Sequence, residues 1–207
     1  MFKALILVVF SLGLLIDSCG PPQPEVYLDK TSPSGVYRVK VRVWQQRVKG
    51  GLDYRDHLRV QYFKGQQLIY TEETQDEDQY ESSIRESAQV VEWVGDNVLR
   101  MGRDRSDQPF SDQLIISNNT GEPIRYLGVS YGKYQTFRAF DVLSGSQLML
   151  QASPEFKPDG SSNYFLGYSG KTESGRSFEG TVENKQRKSP ADGAIKFRIT
   201  VNGEDLH

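Results

Sequence analysis

Val36-Tyr37-Arg38-Val39-Lys40-Val41-Arg42-Val43 decides the fold class. Tyr37, Val39, Val41 and Val43 alternate with Arg38, Lys40 and Arg42, a period of two that lays the apolar side chains on one face of an extended strand and the cations on the other. The same alternation returns at Leu58, Val60 and Tyr62, at Leu148, Leu150 and Ala152, and at Ile195, Phe197, Ile199 and Val201. Turn formers stand between the runs: Gly50-Gly51, Lys64-Gly65, Asp96-Asn97, Gly121, Ser144-Gly145, Asp159-Gly160 and Asp192-Gly193. About a dozen strand segments at this spacing predict an all-β chain folded as an antiparallel β-sandwich. No stretch keeps a helical period over three turns. Tyr80 to Glu92 predicts a short helix or turn, and Tyr134 to Leu143, with Phe137, Phe140 and Leu143 every third residue, predicts a strand. The polar run Gly102-Arg103-Asp104-Arg105-Ser106-Asp107-Gln108-Pro109 predicts a boundary between a β-meander over 34–105 and a sandwich over 110–207, with a single larger sandwich as the alternative.

Ile115-Ile116-Ser117-Asn118-Asn119-Thr120-Gly121 followed by Ile124 to Val129 is similar to immunoglobulin-like envelope domains, a resemblance that names no particular family. Composition agrees with a folded chain. Of 207 residues 37% are hydrophobic and 11% aromatic, too many for wholesale disorder at a formal charge of −2. That charge also argues against a nucleic-acid binder.

The N-terminus reads as an export signal. Met1-Phe2-Lys3 is a positive start, and Ala4 to Ile16 is an uncharged apolar run. Asp17 ends the run well short of the roughly 20 apolar residues that span a bilayer. Leu15-Ile16-Asp17-Ser18-Cys19-Gly20 resembles the lipobox of bacterial lipoproteins, with Asp17 where that family prefers a small uncharged residue. The resemblance implies cleavage of residues 1–18, lipidation of Cys19 and anchoring to a membrane of the bacterial cell envelope. Gly20 in place of aspartate implies the outer membrane in cells that have one. Cys19 is the only cysteine, so no internal disulfide competes for it. Gly20-Pro21-Pro22-Gln23-Pro24, within the segment 19–33, predicts a stiff extended tether.

Catalytic and metal motifs are weighed against their surroundings. Gly128-Val129-Ser130-Tyr131-Gly132 matches the nucleophile-elbow pattern, but the only histidine that follows is the terminal His207 and no helix is predicted after Ser130. Gly170-Lys171-Thr172 ends like a phosphate-binding loop, but Phe165 stands where that loop needs glycine. His57, beside Asp56, has no identifiable nucleophile to serve. Two histidines and an acylated cysteine do not build a zinc site. The acidic run Glu72, Glu73, Asp76, Glu77, Asp78 and Glu81 suits calcium in charge but not in spacing, and reads as a solvated loop. No metal or cofactor is expected.

Two sets of residues are binding candidates. Arg38, Lys40 and Arg42 form a basic stripe that suits lipid headgroups or wall polymer. Tyr131, Tyr134, Tyr164 and Tyr168 fall in a tyrosine-rich half that suits recognition of glycan or protein. The chain therefore reads as a non-enzymatic envelope lipoprotein displaying an all-β module for binding or assembly with an envelope protein partner. A glycan or wall-binding module, and then an enzyme with a nonstandard site, are the alternatives.

Overall fold

In the computed structural model, the described residues are 25–47, 54–75, 91–102, 111–132, 135–154, 162–163, 166–182, 186–187 and 193–207. Tyr37 to Val43 lie in β2 (Tyr37–Arg47), the second strand of an antiparallel meander β1 (Glu25–Thr31), β2, β3 (Tyr54–Lys64) and β4 (Gln67–Gln75). A six-stranded sheet runs in the order β13 (Ser177–Val182), β12 (Leu166–Thr172), β8 (Ile124–Tyr131), β9 (Gln135–Val142), β6 (Val98–Gly102), β5 (Val91–Trp93). A three-stranded sheet runs β10 (Gln147–Ala152), β7 (Asp112–Asn119), β15 (Lys196–Asn202). A small pair joins β11 (Ser162–Asn163) to β14 (Gln186–Arg187). The protein is an all-β sandwich. Among the described residues one strand pair departs from the antiparallel pattern: β15 runs parallel to β7, with Phe197 beside Leu114 and Ile199 beside Ile116.

Two apolar layers show how the sheets stack. One joins Val39, Val41, Val60 and Tyr62 of the meander to Leu99, Met101, Tyr126 and Phe140 of the six-stranded sheet. The other joins Val129, Tyr131, Phe137 and Leu166 of that sheet to Leu114, Ile116, Phe197 and Ile199 of the three-stranded sheet. The six-stranded sheet is thus the middle of three layers and is buried on both faces where the meander covers it. Each large apolar side chain so enclosed contributes about 1.5–3 kcal/mol. Phe137 and Phe140, three apart, fall on opposite faces of β9, one in each layer. A strand buried on both sides needs no alternation, which is why this period of three belongs to a strand.

Strands β5 and β6 precede the polar run at 102–109 in sequence, yet β6 hydrogen-bonds to β9 and so belongs to the middle sheet. Of that run only Gly102 is described. Val91 and Glu92, the only described residues of the segment expected as a helix or turn, are strand. Val91 pairs with Met101 and is buried, so tertiary pairing overrides the local reading there.

Asn118, in the segment likened to immunoglobulin-like domains, is fully buried and satisfied. Its amide donates to the carbonyls of Glu122 (3.0 Å) and Val142 (2.8 Å), and its oxygen accepts from the Thr120 hydroxyl (2.8 Å). The following turn is clamped to the β12–β13 turn by Glu122, which accepts from Arg176 Nη2 and Nε, from the Ser174 amide (3.0 Å) and from the Ser174 hydroxyl (2.9 Å). The Arg176 hydrogen bond, with help from Ser174, lowers the Glu122 carboxyl from 4.5 to about 2. A carboxyl depressed in the folded state stabilises it fully above its unfolded value, and that contribution fades as pH falls from about 4.5 to about 2. Arg176→Ala should therefore lower the thermal midpoint at neutral pH, by an amount that shrinks across this window. A gap from wild type that is the same at both ends would refute the clamp.

Candidate functional site

The meander covers only part of the middle sheet. Beyond the edge of β4, the sheet face presents Gly128 and Ser130 of β8, Gly167 and Ser169 of β12, and Glu179 and Thr181 of β13. Register sets them in two rows: Gly128 beside Ser169 beside Glu179, and Ser130 beside Gly167 beside Thr181. Apart from Glu179 on the outer strand these side chains are short, so the step from β4 down to the sheet leaves an open cleft of about 810 Å³, walled by Tyr70, Glu72, Tyr126 and Arg138.

Glu72 is the hub of the wall. On β4 it sits opposite Val60, on the face turned toward the middle sheet. Arg138 grips it with two hydrogen bonds, Nε to Oε1 at 2.5 Å and Nη2 to Oε2 at 3.0 Å, while Nη1 donates to the Phe137 carbonyl at 2.9 Å. The Tyr126 hydroxyl donates to the same carboxylate, and the Tyr62 hydroxyl points at Oε2 from 3.4 Å. The two ionic side chains are only 14% and 21% exposed, so this pair is largely desolvated and joins two layers. Burial opposes the charge of Arg138, but the Glu72 carboxylate it grips outweighs burial and holds the guanidinium protonated. Burial likewise pushes both tyrosine hydroxyls above the ordinary phenol range, so they act as donors rather than phenolates. Tyr70 stacks on Tyr126 with ring centroids 4.0 Å apart, completing an aromatic side to the cleft.

The residues singled out from sequence are placed unevenly. Tyr131 is buried in the core, its ring edge-on to Phe197 and its hydroxyl donating to the buried Asp112, so it is withdrawn from any recognition surface. Alternation of β8 turns it to the inner layer. Tyr168 packs on Phe178 and Gly180 and is half-buried. Burial, with the charge of Asp205 adding, pushes its hydroxyl up. Tyr134, Tyr164 and Cys19 lie outside the described residues, as do 1–24 and Gly50-Gly51. Arg38, Lys40 and Arg42 share the outer face of the meander.

Ser130 lies within β8, and Gly132 (φ +63) turns the chain into the hairpin to β9, so the strand-turn-helix geometry of a nucleophile elbow does not form. His207 is not frayed, being held by a reciprocal backbone pair with Ser177 at 2.9 Å each way. Gly170-Lys171-Thr172 is the end of β12. His57 stacks on Trp44, 5.2 Å between centroids. In the acidic run Glu72 and Glu73 point to opposite faces of β4 and each is held by an arginine, Arg138 and Arg59. The other members, Asp76 to Glu81, lie outside the described residues. Among the described residues no group of three or more His, Cys, Asp or Glu is placed to hold a metal, and no helix is long and apolar enough to cross a membrane.

Sequence reasoning missed the Glu72–Arg138 pair. Its signal was present: Arg138 interrupts the apolar run Phe137-Arg138-Ala139-Phe140, where a lone cation needs a buried partner. Comparison of the chain with protein-family models, with curated proteins and with solved structures returns no match.

Proposed function

We propose that this chain is a non-enzymatic lipoprotein of the bacterial cell envelope, anchored through Cys19 and displaying an all-β module that binds an envelope protein through the cleft beside β4. The export signal and lipobox-like Leu15 to Gly20 support the anchor. The observation that favours binding over catalysis is the state of the cleft's strongest groups. Glu72 and Arg138 neutralise one another, and apart from the exposed Glu179 on the outer strand the floor consists of backbone, hydroxyls and glycines. Such a surface offers hydrogen bonds and close backbone approach without an activated nucleophile.

The test is crosslinked affinity purification of the tagged full-length protein from whole cells, beside Cys19→Ser and Ser169→Trp. Ser169 is exposed on the cleft floor, so the indole fills the cleft without entering a core. The expected result is a reproducible protein partner lost in both variants. A partner kept by Ser169→Trp would exclude the cleft, and one kept by Cys19→Ser would exclude dependence on the anchor.

Glycan binding is a second reading, favoured by the Tyr70–Tyr126 stack beside the Ser130, Ser169 and Thr181 hydroxyls. It predicts retention on cell-wall polysaccharide that Ser169→Trp abolishes.

A further inference from the structure

The outer face of the meander is rich in cations and aromatic rings. Register places Arg38, Lys40, Arg42 and Trp44 of β2 beside His57, Arg59 and Phe63 of β3. Asp29 and Glu73 are the acidic side chains described on this face, and each is already engaged, by Arg38 and by Arg59. Four cations against two carboxylates leave a positive face on a chain of formal charge −2. Among the described residues neither Lys40, whose ammonium lies 5.7 Å from the centre of the Phe63 ring, nor Arg42, whose Nε is buried without a hydrogen-bond partner, has an ion pair of its own. Trp44 stacks on His57 and lies under the Arg59 guanidinium at 5.3 Å. Rings that are apolar on one side and polar at the rim, set among cations, match the chemistry of a headgroup layer.

Chain length puts this face near a bilayer. From Cys19 to Glu25, where β1 begins, there are six residue steps, which reach about 20 Å at most. The meander is therefore the layer that the tether holds closest to the lipid.

We propose that the outer face of the meander lies against anionic lipid headgroups of the membrane that holds Cys19, with Lys40 and Arg42 meeting phosphate oxygens and Trp44 at the interface. This rests on the anchoring reading above. The cleft floor faces the same way, one sheet spacing of about 10 Å farther from the bilayer, so a partner bound there meets the protein at the membrane surface.

The test uses the full-length lipidated protein in vesicles of phosphatidylcholine alone or mixed equally with phosphatidylglycerol. Flotation with neutral vesicles reports the anchor. Quenching of tryptophan fluorescence by brominated lipid reports the face, because the chain has two tryptophans and Trp93 is packed against Tyr37 and Phe140 between layers. The expected result is flotation with both vesicles but quenching only with the anionic ones, lost in Trp44→Phe and reversed by high salt. Each basic side chain near an anionic leaflet is worth about fivefold, so Lys40→Gln with Arg42→Gln should lower the docked-to-free ratio by about 25-fold. Flotation with quenching absent, or equal in both vesicle types, would overturn the docked face while leaving the anchor intact. Concentration-dependent shielding of Trp44 in neutral vesicles would overturn it in favour of a second copy. Failure of flotation would overturn the anchor and this proposal with it.

Discussion

Arg138→Met should destabilise the protein by about 3–5 kcal/mol, measured by urea denaturation, although methionine packs as well as arginine does along its stem. The cost arises from what is left behind. Glu72 would remain between two sheets with its carboxylate 21% exposed and only the hydroxyls of Tyr126 and Tyr62 to hold it. Adding Glu72→Gln to Arg138→Met removes the stranded charge while keeping an acceptor for those hydroxyls, so the double variant should recover more than about 2 kcal/mol of the loss. A single variant that loses under about 1 kcal/mol, or a double variant no better than the single, would mean that solvent already screens the pair. Because Glu72 belongs to the meander and Arg138 to the middle sheet, the loss should appear first as separation of those layers. Near-ultraviolet signals from the Tyr70, Tyr126 and Phe140 contacts should fade before those of Tyr131 and Phe197.

How much of this was legible in the sequence depends on how many faces of a strand are wet. Tyr37 to Val43, Leu58 to Tyr62 and Phe197 to Val201 each have one buried and one exposed face, and their alternation shows it residue by residue. Where the meander covers the middle sheet both faces are buried, so Val98-Leu99 and Phe137 to Phe140 lose the pattern, and three layers are not readable from periodicity. The site was harder still. Glu72 reads as one of a string of acids in sequence, and only the pleat of β4 separates it from Glu73, turning one toward Arg138 and the other toward Arg59. Tyr131 was misplaced for the same reason. Tyrosine abundance alone does not show a side chain's direction, and its parity on β8, matching Val129, puts it in the core. Apart from Glu179, the cleft floor consists of glycine, serine and threonine, residues with no hydrophobic or charge signal, and register alone assembles it.

The second large effect is at a position whose motif invited chemistry. Gly170, the glycine of Gly170-Lys171-Thr172, should not tolerate even a methyl group: Gly170→Ala is expected to cost about 3 kcal/mol. A Cβ there would stand 2.4 Å from the Tyr126 carbonyl oxygen and 2.4 Å from the Phe178 ring. The ring of a buried phenylalanine has little room, and the carbonyl belongs to β8, the neighbouring strand, so relief requires two paired strands to move apart. Gly180→Ala meets an equally short contact, 2.4 Å to the Tyr168 hydroxyl, but that is the far end of a half-buried side chain that can swing, so about 1 kcal/mol is expected. Gly128→Ala approaches only the Tyr126 hydroxyl at 3.3 Å and Arg138 Nη1 at 3.5 Å, and the lost backbone freedom of the unfolded chain should leave it within about 0.5 kcal/mol of wild type. Thermal midpoints should therefore fall in the order Gly128→Ala, Gly180→Ala, Gly170→Ala, the last being the lowest. If Gly170→Ala were the mildest, the Phe178 ring and the β8 backbone would have room to give way, and the close packing argued here would be wrong.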